Sequence, residues 1–98
     1  MNVKVFDTHV RTRAGHYLHF DVLTETHDAA LARQYAFAWL DSLGVRESDI
    51  SQNECRFCHS QIGDPRVMQG IARQGYFIIP LQGFATAGFE ATGLEVSG

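Results

Sequence analysis

Both cysteines of the chain lie in the segment Cys55-Arg56-Phe57-Cys58-His59, together with one of its five histidines. Two thiols separated by two residues and followed by an imidazole suit three kinds of chemistry: metal coordination, thiol redox and covalent haem attachment. Zinc takes four ligands in a tetrahedron, with thiolates at about 2.3 Å and imidazole nitrogens at about 2.0 to 2.1 Å. Cys55 and Cys58 have the spacing that lets both sulfurs reach one ion, His59 offers a third donor and His19 a fourth. Asp7 or Asp21 would orient an imidazole from behind. The candidate metal set is therefore Cys55, Cys58, His59 and His19, with zinc as the metal it suits. The strongest zinc signature has two paired motifs, and this chain has one.

The redox reading needs the first sulfur at a helix amino end and the motif after the strand of a βαβ unit. Here Cys55 falls about a turn inside its expected helix, and no such strand precedes it. Haem attachment normally requires export and a distal ligand, for which Met68 is a candidate although its place in the stripe of the Asp64-capped helix fits a core residue better, and no export signal is visible. Haem is therefore disfavoured. A fourth reading makes Cys55, Phe57 and Cys58 core residues, since free cysteine behaves as a small hydrophobe. The chain is then a non-catalytic interaction module, with a homodimer through an exposed sheet edge as one form of it.

These residues must be held by elements that the pattern predicts. Val3 to Thr12 and His16 to Leu23 are rich in β-branched and aromatic residues, and Arg13-Ala14-Gly15 between them suggests a hairpin with a three-residue loop. Pairing Thr12 with His16 sets Leu18, Phe20 and Val22 against Val10, Thr8 and Phe6 on one face. The same register places His9 across from His19 and Asp7 across from Asp21 on the other. Thr26 can cap a helix over about His27 to Leu43, whose apolar rows are Leu31, Tyr35, Ala38, Trp39 and Ala32, Ala36, Leu40, Leu43. Gly44 ends it, with Val45 packing back. Ser51-Gln52-Asn53-Glu54 matches a capping box, which predicts a short helix carrying Cys55, Cys58 and His59 on one face. Asp64-Pro65 starts a third helix with Val67, Met68 and Ile71 inward and Gly75 as its stop. Tyr76-Phe77-Ile78-Ile79 reads as a buried strand.

At this point Val5-Phe6-Asp7-Thr8, Leu18-His19-Phe20-Asp21-Val22, Glu54-Cys55-Arg56-Phe57-Cys58-His59 and Gly75-Tyr76-Phe77-Ile78-Ile79 together resemble a small bacterial family, domain of unknown function number two thousand and twenty-four. The resemblance covers about residues 3 to 80. It implies no activity, but it does imply that Asp7, His19, Asp21, Cys55, Cys58 and His59 belong to the family's pattern, and that His9 stands where the family has a tyrosine.

Composition bounds the rest. Ninety-eight residues, 45% of them hydrophobic and 19% charged, suit one small domain. Net charge is −3, with Lys and Arg scattered, so the basic footprint for nucleic acid is missing. No apolar run has the length of a signal peptide or of a membrane span, which leads to a cytoplasmic expectation. Residues 82–98 repeat Gly and Ala without periodicity and read as a flexible tail after a domain over residues 1–81. The expected architecture is a two-layer α+β domain in the order β-β-α-α-α-β. In it, a three-stranded sheet made of the hairpin and the last strand is covered by helices. No nucleophile motif, phosphate loop or dinucleotide fingerprint appears, so no reaction is named. The expected function is a small metal-binding or thiol-bearing module.

Overall fold

The computed structural model describes residues 2–84. Strands β1 (Asn2–Thr12) and β2 (Tyr17–Thr24) form the hairpin, followed by helix α1 (Ala29–Ser42), a 3-10 turn at Glu47–Asp49, strand β3 (Ile50–Ile62), helix α2 (Pro65–Gln74) and strand β4 (Tyr76–Gln82). The order is β-β-α-β-α-β, and the sheet has four antiparallel strands in the order β3-β1-β2-β4. This corrects the expected three strands and three helices.

The error lies in one segment. From Ser51 the chain does not turn into a helix but runs as a long strand along β1, from Ile62 opposite Asn2 to Ile50 opposite Thr12. The capping-box pattern is satisfied differently: the Ser51 hydroxyl donates to the carbonyl of Arg11, and Glu54 pairs with Arg56 at 2.8 Å. β3 is an edge strand exposed along nearly its whole length, so no apolar alternation marks it in the sequence.

The hairpin forms in the register that the loop length dictates. His9 pairs with His19 and Asp7 with Asp21, the amide of Thr12 donates to the carbonyl of His16 at 2.9 Å, and Gly15 takes φ +92° at the loop. Alternation along the strands then sorts side chains onto two faces. Phe6, Val10, Leu18, Phe20, Val22 and Ile78 pack against Ala32, Ala36, Trp39 and Leu40 of α1. Val3, Val5, Leu23 and Phe77 pack against Val67 and Ile71 of α2. The helices therefore lie on opposite faces, giving three layers where two were expected.

Asp28, rather than Thr26, caps α1, its carboxylate accepting from the amides of Ala30 and Leu31, while the Thr26 hydroxyl accepts from the amide of Asp28. Asp64 caps α2 with Pro65 at the first position, and Gly75 closes it in the left-handed conformation, as its sequence predicts. Of the predicted tail, Gln82 ends β4 and Phe84 is buried against Phe20 and Trp39. Residues 85–98 lie outside the described residues. Among the described residues no helix is long and apolar enough to cross a membrane.

Candidate metal centre on the open half of the sheet

Residues two apart in a strand share a face, so Asp7 and His9 of β1 and His19 and Asp21 of β2 point to the α2 side, in step with Val5 and Leu23. α2 covers the end of that face holding Val3, Val5 and Leu23. Beyond it the polar residues are only half-buried: the side chains of Asp7, His9 and His19 keep 39%, 32% and 23% of their exposure. That leaves them open to a small solute.

Asp7 joins the two histidines. Its Oδ2 lies 2.8 Å from His9 Nε2 and its Oδ1 2.5 Å from His19 Nε2. An ionised carboxylate only accepts, so both Nε2 atoms donate. The imidazoles stack with centroids 4.1 Å apart and planes 10° from parallel. His9 Nδ1 is hydrogen-bonded to the Tyr17 hydroxyl, and the Arg11 guanidinium lies 5.0 Å from the centre of the Tyr17 ring. One donor atom from each of Asp7, His9 and His19 falls within 4.8 Å of the others.

The two carboxyls of this face titrate in opposite directions. Burial works to raise Asp7, but hydrogen bonds from His19 and His9, with their charges, hold it below the ordinary carboxylate range. Burial and the charge of Asp7 push Asp21 up, against a smaller pull from His19, His59 and His9. Asp21 is thus part of the same electrostatic cluster, and His59 is near enough to be felt.

The thiol segment is distributed by its strand geometry. Cys55 is opposite Thr8 and turns toward the α1 side, where the Thr8 hydroxyl donates to its Sγ at 3.5 Å and the side chain packs on the core. Burial raises its thiol pKa, partly offset by the Thr8 hydrogen bond and by Arg33. Phe57 follows on the same side, edge-on to Phe6. The pairing jumps from Phe6–Phe57 to Val5–His59, so Cys58 is the extra residue of a β-bulge. It is exposed, with Sγ 3.2 Å from His59 Nδ1, and His59 Nε2 is 3.1 Å from Gln61 Oε1. The shared helical face on which Cys55, Cys58 and His59 were expected does not exist. Among the described residues the sequence-derived set of Cys55, Cys58, His59 and His19 does not converge, whereas His19 converges with Asp7 and His9.

Sequence reasoning gave Asp7 only an orienting role and did not count His9 among the ligands, whereas the structure brings both together with His19. The signal was present: the register derived from the hairpin loop puts His9 across from His19, with Asp7 two residues along on the same face.

Comparisons with known proteins agree with this fold. Residues 1–81 match the family described as Domain of unknown function (DUF2024). The NMR structure of protein NE1680 from Nitrosomonas europaea, a Northeast Structural Genomics Consortium target, is similar with a TM-score of 0.74 and 40% sequence identity, over 85% of this chain and 98% of that one. No curated protein matches the sequence. The family match takes in the hairpin, both helices and β3, and the chain belongs to the DUF2024 family, a domain of unknown function.

Proposed function

We propose that this domain binds a divalent transition metal of the zinc type through Asp7, His9 and His19, leaving one coordination position open toward solvent. The observation that carries the reading is the convergence of two imidazole Nε2 atoms on a single carboxylate, with the donor atoms within 4.8 Å of one another. Two imidazoles and a carboxylate form a familiar three-ligand set for zinc, whose fourth position takes water or a substrate atom. A metal would replace the two Nε2 protons that Asp7 now accepts, so the same carboxylate and the same nitrogens serve both states. His19 is the ligand shared with the set read from the sequence. Cys55 faces the α1 side, and Cys58 sits in the bulge with His59, outside this centre.

Zinc titration of the full chain tests the reading, following both thermal unfolding and metal content. Zinc at a hundredfold excess over its dissociation constant adds about 2.7 kcal/mol, a rise in Tm of roughly 10 °C or more for a domain of this size. Asp7→Asn and His19→Ala, checked for folding by circular dichroism, lose the response. Cys55→Ser and Cys58→Ser keep it. Loss of zinc from the cysteine variants with retention in the Asp7 variant transfers the site to the thiol segment and overturns this assignment.

A further inference from the structure

β3 is the longest strand and it ends the sheet, so one of its edges faces solvent. Hydrogen-bonded and non-bonded pairs alternate along an antiparallel ladder. Because the amide of Thr12 donates to the carbonyl of His16, the even-numbered residues of β1 bond to β2 and the odd-numbered ones to β3. Gln52, Glu54 and Arg56, opposite Arg11, His9 and Asp7, therefore direct their backbone groups at β1. Asn53, Cys55 and Phe57 turn theirs outward, where no strand of the described residues lies. The bulge at Cys58 ends this straight run. The run carries neither Lys nor Pro, two residues that commonly guard such edges, and Phe57 within it keeps 45% of its exposure.

We infer that this edge pairs with the same edge of a second copy of the chain, with the two-fold axis passing through Cys55. Two edges that extend one sheet by an antiparallel two-fold set each residue opposite one on the same face, so the axis must pass through a residue. Charge then selects which residue. With the axis at Glu54 that carboxylate would face its own copy, and with the axis at Arg56 two guanidiniums would meet; like charges directly opposite are destabilising. Axes at Asn53 or Phe57 leave both charges without a counterpart. With the axis at Cys55, Glu54 of each chain lies opposite Arg56 of the other. Asn53 then lies opposite Phe57 and Cys55 opposite Cys55, which closes about six backbone hydrogen bonds and sets the second edge beside the exposed Phe57 ring. Within one chain Glu54 and Arg56 already touch at 2.8 Å, but their side chains keep 51% and 76% exposure, so both can meet a charge across the edge. The contact is short, at the low end of interface size, so the dimer is weak and reversible. It does not depend on the metal reading.

Sedimentation equilibrium of the full chain without metal, from about 10 μM to about 1 mM, tests the pairing and is expected to show a monomer–dimer equilibrium. Glu54→Arg alone and Arg56→Glu alone, each checked for folding by circular dichroism, put like charges opposite and weaken the dimer by about tenfold or more. Mixing these two variants in equal amounts restores association, because each supplies the charge that the other lacks. A damaged fold would not be rescued in this way. Asn53→Pro, whose lost N–H faces solvent, abolishes the dimer while keeping the β1–β3 ladder. A chain that stays monomeric up to about 1 mM overturns the inference. So does a dimer indifferent to both charge reversals, or a mixture of the two variants that fails to associate.

Discussion

His9 and His19 stand face to face across the β1–β2 hairpin, their rings 4.1 Å apart, and both direct Nε2 at the carboxylate of Asp7. The arrangement favours the ionised carboxyl, so Asp7 titrates below its unfolded value of 3.8. A depressed acid contributes stability that is present above the unfolded pKa and is lost as pH falls through the folded one. In the metal-free protein Asp7→Asn is therefore less stable than the parent at neutral pH, and the gap narrows as pH drops below about 4. Denaturant unfolding from pH 7 to 3 measures this. A gap that stays constant across the range rules the linkage out.

Asp21 should behave in the opposite sense. Burial and the charge of Asp7 raise its pKa above 3.8 in the fold, so the folded protein holds a proton that the unfolded chain releases. Stability tied to Asp21 is therefore greatest below the unfolded pKa and falls as pH rises through the folded one. Asp21→Asn removes that cost. The variant melts above the parent at pH 7 in the absence of metal, and the advantage shrinks toward pH 4. A lower Tm for the variant at neutral pH means that the Asp21 carboxylate makes a favourable contact outweighing its burial.

Much of this geometry was written into the chain, and the part that was not has a definite cause. The hairpin register follows from loop length and parity, because slipping by one residue would turn Phe6, Phe20 and Val22 outward. Asp64, Pro65 and Gly75 bound α2 by local chemistry alone. β3 has no such local mark: its partners on β1 lie 38 to 60 residues away in the sequence, from Thr12–Ile50 to Asn2–Ile62, and its side chains are exposed. With neither burial nor a turn to announce a strand, the Ser51-to-Glu54 pattern pointed to a helix, and the thiols acquired a common face that they lack. The helix reading drew the expected site to the cysteines, although the register of the hairpin is the one its loop length predicts.

The strand placement of the cysteines makes them chemically unequal. Cys55 is half-buried, accepts from Thr8 and has its thiol pKa raised by burial. Cys58 is exposed in the bulge beside His59. Since the thiolate is the reacting species, iodoacetamide at pH 8 modifies Cys58 first, with Cys55 slower by about tenfold or more. Peptide mass spectrometry over time resolves the two sites, and in denaturant their rates converge. Equal rates in the native protein would place both thiols in one environment, as the helix would have done.

α2 approaches β4 at a residue without a side chain. A Cβ on Gly70 would lie 2.7 Å from Cδ1 of Phe77, which is itself 3% exposed. Alanine is the better helix former by about 1 kcal/mol, but overpacking a core costs about 1 to 3 kcal/mol, and the ring of Phe77 has Val3, Val5 and Leu23 in its cluster. Gly70→Ala is thus neutral to destabilising by up to about 2 kcal/mol. Adding Phe77→Leu, which makes room, recovers part of the loss. Stabilisation by Gly70→Ala alone, measured in urea, would show that the helix can retreat from the sheet without penalty.

Tyr17 supplies the sharpest test of how the centre is held. In the neutral imidazole with Asp7 accepting from His9 Nε2–H, Nδ1 is an acceptor to which the Tyr17 hydroxyl donates. With a metal at Nε2 the ring proton would sit on Nδ1, and the same hydroxyl would accept from it. A phenol can do both without moving, so Tyr17 holds the ring in either state. Partners of this kind change metal affinity by about 10- to 100-fold when removed. Tyr17→Phe keeps the stacked ring and the platform for Arg11 but loses the hydroxyl. Its zinc affinity therefore falls within that range, while its metal-free Tm changes little because the group lies at a half-open surface. A large loss of fold stability with unchanged zinc affinity would assign Tyr17 to packing and leave His9 to be oriented by Asp7 alone.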